Sequence, residues 1–216
     1  MRVPRFEPFR ALRYAPDIPL DEVIAPPYDV LSDSDVDGLA SRHPNNIVHI
    51  DVPRERDGAG RYAAAATVLR GWVDDGVLVR DATPSFTVYR MRFTDATGAS
   101  RDVAGVLGGL EVVDEGAGGV LPHERTTPKA STDRLDLTRA TRVNMSPVWG
   151  LSLARGLTAA LAEPGDAMGS VWVDEVEHVV ERISDPDRVA TISSILADDD
   201  VLIADGHHRY GISRTF

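Results

Sequence analysis

Cysteine is absent from the 216-residue sequence, which excludes disulfide bonds, zinc-thiolate sites and thiol nucleophiles. No window approaches the ~18 consecutive apolar residues of a membrane helix, and residues 1–13 lack the apolar stretch of a signal peptide. We therefore expect a cytoplasmic protein that does not enter a membrane. Hydrophobic residues nevertheless make up 43% of the chain, which suffices for a substantial core.

Lysine is almost absent as well: Lys129 stands against 22 arginines, and acidic residues outnumber basic ones 34 to 23. The resulting net charge of -11 repels phosphate backbones and disfavours broad nucleic-acid binding. A local basic pocket for a small anion stays compatible with this charge. In a chain so rich in arginine, Lys129 is a candidate for a position that requires an ammonium group rather than a guanidinium group, although chance placement is the simpler explanation.

Neither of the common glycine-rich phosphate loops occurs, since both G-x-G-x-x-G and G-x-x-x-x-G-K-[ST] are missing. The glycines at 105, 108 and 109 are more typical of a bulge or of close backbone packing. The double proline of Val23 to Val30 (VIAPPYDV) forces an extended backbone that presents Tyr28 and Asp29 at a fixed place. A plain rigid turn is the alternative there.

Hydrophobic periodicity alternates between the helical and the strand pattern along the chain. It predicts helices over 32–42, 61–75, 132–144, 156–162 and 185–197, and strands over 47–52, 85–93, 101–113, 148–153 and 201–205, with one or two further strands in 171–183. The aromatic residues of 4–14 (Phe6, Phe9 and Tyr14) are expected to pack onto a core. The pattern predicts an α+β fold, a mixed sheet with flanking helices. It is expected to form one domain over 1–216, with a sub-division into 1–115 and 120–216 as the alternative.

The densest polar cluster follows the last apolar strand, where Asp205-Gly206 leads into His207, His208 and Arg209. A glycine allows successive backbone N–H groups to point at one bound anion, and an arginine can donate two parallel hydrogen bonds to a phosphate. Histidine serves as acid or base near neutral pH, and Asp205 would orient a histidine, hold magnesium or deprotonate a hydroxyl. We predict Asp205, His207 and His208 as catalytic and Gly206 and Arg209 as phosphate-binding, against a structural loop as the alternative.

A second polar cluster lies in residues 121–145, which carry five basic against three acidic side chains. Such a local excess suits an anionic ligand, whereas a solvated helix face is the alternative. The residues predicted here are Glu124 as catalytic and His123, Arg125, Lys129, Arg139 and Arg142 as cofactor-binding, with Arg134 in the same patch. Arg139 and Arg142 lie three apart and are expected to share a helix face.

Histidine and carboxylate from both clusters also suit a zinc, iron or manganese site. The candidate ligands are His123, Glu124, Asp205, His207 and His208. Their spacing does not follow the helical H-E-x-x-H pattern, and adjacent histidines on an extended chain point opposite ways. We therefore assign no metal ligand and keep a metal-dependent hydrolase as a further alternative.

Several segments together resemble one bacterial and archaeal family, catalogued as domain of unknown function 1015. The segments are 8–14 (PFRALRY), 23–30 (VIAPPYDV), 121–126 (LPHERT), 133–135 (DRL), 139–142 (RATR), Asn144, Ser146-Pro147 and 204–210 (ADGHHRY). The resemblance spans the whole chain in consistent order and implies no established activity. Members look about twice as long and continue past the DGHHR motif into a helix. Because residues 211–216 depart from that pattern, we expect a C-terminally truncated chain with too few residues for the helix.

The strand and DGHHR motif are also similar to the phosphate-binding motif of the ParB and sulfiredoxin superfamily, which implies contacts from residues 206–209 to nucleotide phosphates. The leading hypothesis is a nucleotide- or phosphate-binding enzyme of the small-molecule kinase or phosphohydrolase type, using ATP or ADP with magnesium. A non-catalytic nucleotide-sensing or scaffold domain is the alternative. In the simplest arrangement the His123 and His207 clusters form one site. The sequence does not define the oligomeric state.

Overall fold

The computed structural model describes residues 4–114, 116–122, 128–197 and 199–216. Within them lie eight helices and eleven strands, which confirms the predicted α+β class. The helices are α1 (Leu20–Val23), α2 (Asp33–Arg42), α3 (Val48–Asp51), α4 (Arg61–Asp74), α5 (Pro128–Thr141), α6 (Leu157–Ala160), α7 (Pro186–Leu196) and α8 (His207–Thr215). The strands are β1 (Phe6–Glu7), β2 (Leu12–Tyr14), β3 (Leu78–Arg80), β4 (Phe86–Thr94), β5 (Ser100–Leu107), β6 (Gly109–Leu110), β7 (Val120–Pro122), β8 (Trp149–Ser152), β9 (Asp166–Val173), β10 (Val176–Ile183) and β11 (Val201–Asp205). Tyr28–Val30 and Glu55–Asp57 form single 3₁₀ turns.

Backbone contacts divide the chain into two compact units. The first, here called the sheet unit, comprises Met1–Leu12, Arg80–Glu124 and Trp149–Asp205. The second, the helical unit, comprises Arg13–Val79, Arg125–Val148 and Gly206–Phe216. Each unit is assembled from three separate stretches, with boundaries that differ from the sub-division into 1–115 and 120–216, which stays a prediction.

The larger sheet of the sheet unit is antiparallel throughout, in the order β5-β4-β10-β9. The strands predicted over 85–93 and 101–113 correspond to β4 and to β5 with β6. Strands β4 and β5 form a hairpin, in whose turn Asp95 accepts hydrogen bonds from the amides of Thr97 and Ala99. One face of the sheet packs Phe86, Val88 and Ile183 against α7. The ring of Phe6 stacks on Phe86 at 5.3 Å, as its place in the extended N-terminal segment predicted.

A buried ion pair crosses the centre of this sheet. Arg90 of β4 donates from Nε to both carboxylate oxygens of Glu181 on β10, at 3.0 Å each. The amide of Gly165 donates to Glu181 as well, at 3.1 Å, and Arg90 donates to the carbonyl of Leu161. The pair therefore ties the chain around α6 to the sheet.

The smaller sheet has the order β7-β11-β8, with β11 at its centre. Val201 lies beside Val120 in a parallel pair and opposite Ser152 in an antiparallel pair, so this sheet is mixed, as predicted. Val120 and Ile203 are buried. The strand that precedes the DGHHR motif is therefore fixed from both sides.

The helical unit packs its core around α4, whose Leu69 and Trp72 lie against Ile50 and Leu78. Tyr14 joins this core, whereas Phe9 is exposed and does not pack as predicted. The predicted N-terminus of α2 is confirmed by a capping box between Ser32 and Asp35. Within the described ranges, none of the helices combines the length and apolar character that a membrane crossing requires.

The strand predicted over 47–52 is wrong, because Val48–Asp51 forms the short helix α3. The side chain of Asn46 accepts from the amide of Val48 at 3.2 Å, and the amide of Ile47 donates to the carbonyl of Val23 at 2.8 Å. These bonds start a helical turn where the residue pattern alone fits a strand equally well. Helix α5 also begins earlier than predicted, at Pro128 rather than near 132.

The expectation of too few residues for a helix after the DGHHR motif is wrong, because α8 runs over His207–Thr215. Gly206 has φ 88°, which turns the chain immediately after β11. The motif residues therefore form the first turn of the helix themselves, instead of a loop that precedes it.

Candidate anion-binding cleft in the helical unit

A shallow cleft that opens to solvent lies among α3, α5 and α8 of the helical unit, with a cavity volume of about 40 Å³. Its lining comprises Tyr28, Asp51, Arg134, Leu137, Thr138, Val143, Asn144, Met145, Ser146, Arg209 and Ile212. Apolar side chains from α5, the 143–146 segment and α8 thus share the cleft with two arginines and one carboxylate. This volume is smaller than the roughly 300–1,000 Å³ of a typical small-molecule site, so a bound ligand would extend from the open side of the cleft into solvent.

Arg134 is the best-anchored polar group of the cleft. From α5 its Nη1 donates to Oδ1 of Asp51 at 2.8 Å, and both side chains are largely buried. Its guanidinium lies 3.8 Å above the ring centre of Tyr28, a cation–π contact. Its Nε is 3.7 Å from Asp133 Oδ2 and makes no hydrogen bond with any described residue. The guanidinium is therefore held in place while one buried N–H stays unsatisfied.

The carboxyl group of Asp51 is more basic than an ordinary aspartate. Burial raises its pKa, while attraction and the hydrogen bond from Arg134, and then the charge of Arg209, lower it less. The charge of Asp29 raises this pKa further. Asp51 consequently takes up a proton at a higher pH than a solvated aspartate does.

Tyr28 forms an aromatic wall of the cleft and stays a neutral phenol. Burial raises its pKa, and the charges of Arg134 and Arg209 oppose that rise. The extended Pro26-Pro27 segment leads directly into the 3₁₀ turn that carries Tyr28. The prediction that this segment presents Tyr28 at a fixed place agrees with this arrangement.

Arg209 reaches the cleft from the first turn of α8. It donates from Nη1 to the carbonyl of Pro147, and its guanidinium lies against the backbone of Gly206. A Cβ atom at position 206 would lie 2.9 Å from Nε of Arg209. The glycine therefore provides both the positive φ of the turn and the space that Arg209 occupies.

Among the residues of the DGHHR motif, Arg209 belongs to the lining of the cleft as described. His207 is buried at the start of α8 and His208 is half-buried beside it. Asp205 ends β11 opposite Trp149 and belongs to the sheet unit. Their predicted catalytic roles stay predictions.

Arg139 and Arg142 were predicted to share one helix face, and the structure places them differently. Arg139 is exposed on α5 and pairs with Asp136 at 3.5 Å, one turn earlier. Arg142 follows the end of α5 with φ 59°, and its guanidinium lies 5.2 Å from the ring centre of Phe216. The two do not share a helix face, and neither lines the cleft as described.

Part of the second predicted cluster, His123, Glu124 and Arg125, lies outside the described residues, as does the side chain of Lys129. The prediction that the His123 and His207 clusters form one site therefore also lies outside them. Among the residues that are described, no three histidine, aspartate or glutamate side chains converge as a metal cluster.

Asp51 is the member of the cleft that sequence reasoning missed. It is a single carboxylate within the apolar stretch IVHIDV, which was predicted as a strand. A buried charge requires a partner, so a lone acid among residues destined for the core is a signal for an arginine elsewhere in the chain. Nothing in the sequence, however, indicates which of the 22 arginines that partner is.

One comparison identifies the chain: the model of the family described as protein of unknown function (DUF1015) matches residues 6–216. No curated protein and no solved structure matches the chain. The similarity of β11 and α8 to the ParB and sulfiredoxin motif therefore stays a prediction. Since the family model covers nearly the whole sequence and agrees with the motifs found in it, this protein belongs to the DUF1015 family.

Proposed function

We propose that this protein binds a phosphorylated small molecule, a nucleotide foremost, in the cleft between Arg134 and Arg209. The observation that carries the proposal is the convergence of these two guanidinium groups, from neighbouring helices, on one partly apolar cleft of the helical unit. Two arginines in one cleft favour a dianionic group over a single carboxylate.

The two arginines are held in different ways, and both arrangements suit phosphate. Arg134 is fixed by Asp51 and Tyr28, so little conformational entropy is lost when it binds an anion. Arg209 is in the first turn of α8, where the helix dipole contributes positive partial charge. A phosphate bound between them would also offer an acceptor to the buried Nε of Arg134.

The remaining lining fits a ligand that carries more than phosphate. Asn144, Ser146 and Thr138 provide neutral donors and acceptors, while Leu137, Val143, Met145 and Ile212 provide apolar surface. Tyr28 offers an aromatic ring that already stacks on a cation. A nucleoside or a sugar with an apolar face matches this mixture better than inorganic phosphate alone.

Phosphoryl transfer to water is the simplest reaction that this cleft supports. A water oxygen would bond to the terminal phosphorus while the bond from that phosphorus to its bridging oxygen breaks. The water proton would pass to the carboxylate of Asp51, and the electron pair would leave with the departing group. Asp51 would accept this proton on Oδ2, while its Oδ1 keeps the hydrogen bond from Arg134. Magnesium would enter with the nucleotide, bound to its phosphate oxygens.

Binding without turnover is the second candidate, and one observation favours it. The described lining contains a single carboxylate, Asp51, and that carboxylate is bound to Arg134. A cleft whose carboxylate is already paired with an arginine suits a sensor or scaffold as well as a catalyst.

Isothermal titration of the full chain with ATP and ADP, with and without magnesium, tests the binding step. We expect Arg209→Ala and Arg134→Ala each to weaken binding by about tenfold or more, the value of one charge-assisted hydrogen bond to phosphate. Arg139→Ala is the matched control, because Arg139 lies on α5 outside the cleft and should leave affinity unchanged. Equal losses in all three variants, or no binding by the wild type, would contradict the proposal.

Phosphate release by the purified chain separates the two candidates. Hydrolysis that Asp51→Asn abolishes while ligand binding persists indicates an enzyme with Asp51 as the base. Binding with no release above the uncatalysed rate, with and without magnesium, indicates a sensor or scaffold.

A further inference from the structure

The outer face of the small β7-β11-β8 sheet is apolar across all three strands. Leu202 of β11 lies directly between Leu121 of β7 and Leu151 of β8 in the register of the sheet. Residues paired across strands point to the same side, so these leucines form one row. Their exposed fractions are 42%, 37% and 45% for Leu121, Leu202 and Leu151.

The geometry of β8 identifies this row as the outer face. A Cβ atom at Gly150 would lie 2.6 Å from Cγ1 of Val201, so Gly150 faces the same side as Val201. Strand alternation then places Trp149 and Leu151 on the opposite side. Trp149 is 60% exposed, and Leu153, just beyond β8, is 83% exposed.

The outer face of this sheet differs from the solvated face of an ordinary two-sided sheet. Such a sheet alternates apolar residues inward with polar residues outward. Here the inward side carries the buried Val120 and Ile203, yet the outward side of the same strands carries leucine and tryptophan. Both faces are therefore suited to burial.

We propose that a second copy of this chain covers this face, the leucine row, in a symmetric dimer. The exposed parts of Leu121, Leu202, Leu151, Leu153 and Trp149 amount to on the order of 500 Å², the size of the largest apolar patch of a typical monomer, and such a patch often has a binding role. Stable interfaces bury roughly 800 Å² per partner, so the leucine row supplies the apolar centre and a polar rim supplies the rest.

A second copy fits the leucine row because the row is self-complementary. Two sheets pack face to face at about 10 Å, and identical leucine rows interdigitate around a twofold axis. The three paired leucine positions of the row carry no charge that would select a partner of opposite sign, and the charged residue Asp205 lies beyond them, opposite Trp149. Trp149 provides the large aromatic side chain that typically anchors such an interface. The net charge of -11 opposes association, so added salt should favour the dimer.

Analytical ultracentrifugation of the full chain from about 1 μM to about 100 μM tests the proposal. We expect a species of twice the 23.4 kDa chain mass, at least as abundant at about 0.5 M salt as at low salt. Leu151→Asp should raise the dissociation constant by about a hundredfold or more, because it buries a charge at the centre of the leucine row. A monomer at every concentration would overturn the proposal, whether the row is bare or covered by another molecule.

Two exposed tryptophans provide matched variants, which distinguish a specific loss of the dimer from a loss caused by unfolding. Trp149→Ser should weaken the dimer, whereas Trp172→Ser should not, because Trp172 is 68% exposed on β9 of the other sheet. Circular dichroism checks that both variants keep the wild-type fold. Equal weakening by both substitutions, or by neither, would overturn the proposal.

Discussion

Gly206 combines two structural requirements at a single residue. It adopts φ 88°, which side-chain-bearing residues rarely do, and it leaves room for the guanidinium of Arg209. Gly206→Ala should therefore destabilise the protein by about 1 to 2 kcal/mol through backbone strain. It should also weaken nucleotide binding several-fold, because the new methyl group moves Arg209. Chemical denaturation and isothermal titration measure the two effects.

Gly211→Ala is the control for that substitution. Gly211 is in the same helix, and an added Cβ would meet nothing within 4 Å. Alanine there should stabilise the helix by up to about 1 kcal/mol and leave ligand affinity unchanged. If both alanines had the same effect, neither the strain at Gly206 nor its contact with Arg209 would matter.

Asp51 should make anion binding depend on pH. Folding raises the pKa of Asp51, so the group favours folding below its unfolded-state pKa and loses that contribution as pH rises through the folded-state value. Protonation also frees Arg134 for an external anion. Sulfate, which stays a dianion from about pH 7.5 to about pH 4.5, should bind several-fold more tightly at the lower pH.

The matched variant is Asp51→Asn, titrated with sulfate at the same two pH values. Other groups of the protein are the same in both variants, so their response to pH cancels in the comparison. The wild type should therefore show the larger rise, because Asp51 titrates only there. An identical rise in the two proteins would contradict this role for Asp51.

At the level of single residues, sequence reasoning named Arg209, Tyr28 and Arg134 but missed Asp51 and its pairing with Arg134. Arg209 was predicted because it belongs to the run of five consecutive residues Asp-Gly-His-His-Arg. Tyr28 was predicted because the double proline before it restricts the backbone, which the sequence alone shows. Arg134 was placed in a patch with Arg139 and Arg142, but Arg139 pairs with Asp136 outside the cleft and Arg142 lies beyond the end of α5 at Thr141. The pairing of Arg134 with Asp51 spans 83 residues, and no local pattern encodes it.

Among the structural elements, the Arg90–Glu181 pair has the clearest energetic consequence. Glu181→Ala would remove the hydrogen-bonded counter-ion of the buried Arg90, leaving Asp102 at 3.7 Å, and would remove the acceptor of the Gly165 amide. We expect a loss of about 3 to 5 kcal/mol in unfolding free energy. Equilibrium unfolding in urea measures it.

Glu177→Ala is the comparison for that substitution. Glu177 is on the same strand β10 and pairs with Arg92 at 3.4 Å near solvent. Such a pair contributes at most about 1 kcal/mol. A loss at Glu181 no larger than the loss at Glu177 would show that the buried pair has no special role.

Elements with strong local signals were predictable, whereas those fixed by tertiary contacts were not. The capping box at Ser32 and the turn after Asp95 each mark a boundary within a few residues. Helix α3 was predicted as a strand because a short apolar run fits both periods, and the contact to Val23 decides between them. Helix α8 was missed because its first turn consists of residues that looked functional.

At the scale of the whole molecule, the order in which the chain visits the units limits where it can be divided. The chain passes between the sheet unit and the helical unit after residues 12, 79, 124, 148 and 205. Fragment 1–115 would separate β4 from β10, and fragment 120–216 would separate α5 from α4. We expect neither fragment to show a cooperative thermal transition in circular dichroism, in contrast to the full chain. Cooperative melting of either fragment alone would contradict this expectation.

The three tryptophans give the two units distinct optical signals. Trp72 is buried in the core of the helical unit, whereas Trp149 and Trp172 are exposed on strands of the sheet unit. A water-soluble quencher such as iodide should therefore extinguish the long-wavelength emission of the sheet unit and leave the short-wavelength emission of Trp72. The quenched and unquenched fractions of one fluorescence trace then follow the unfolding of each unit without any introduced label.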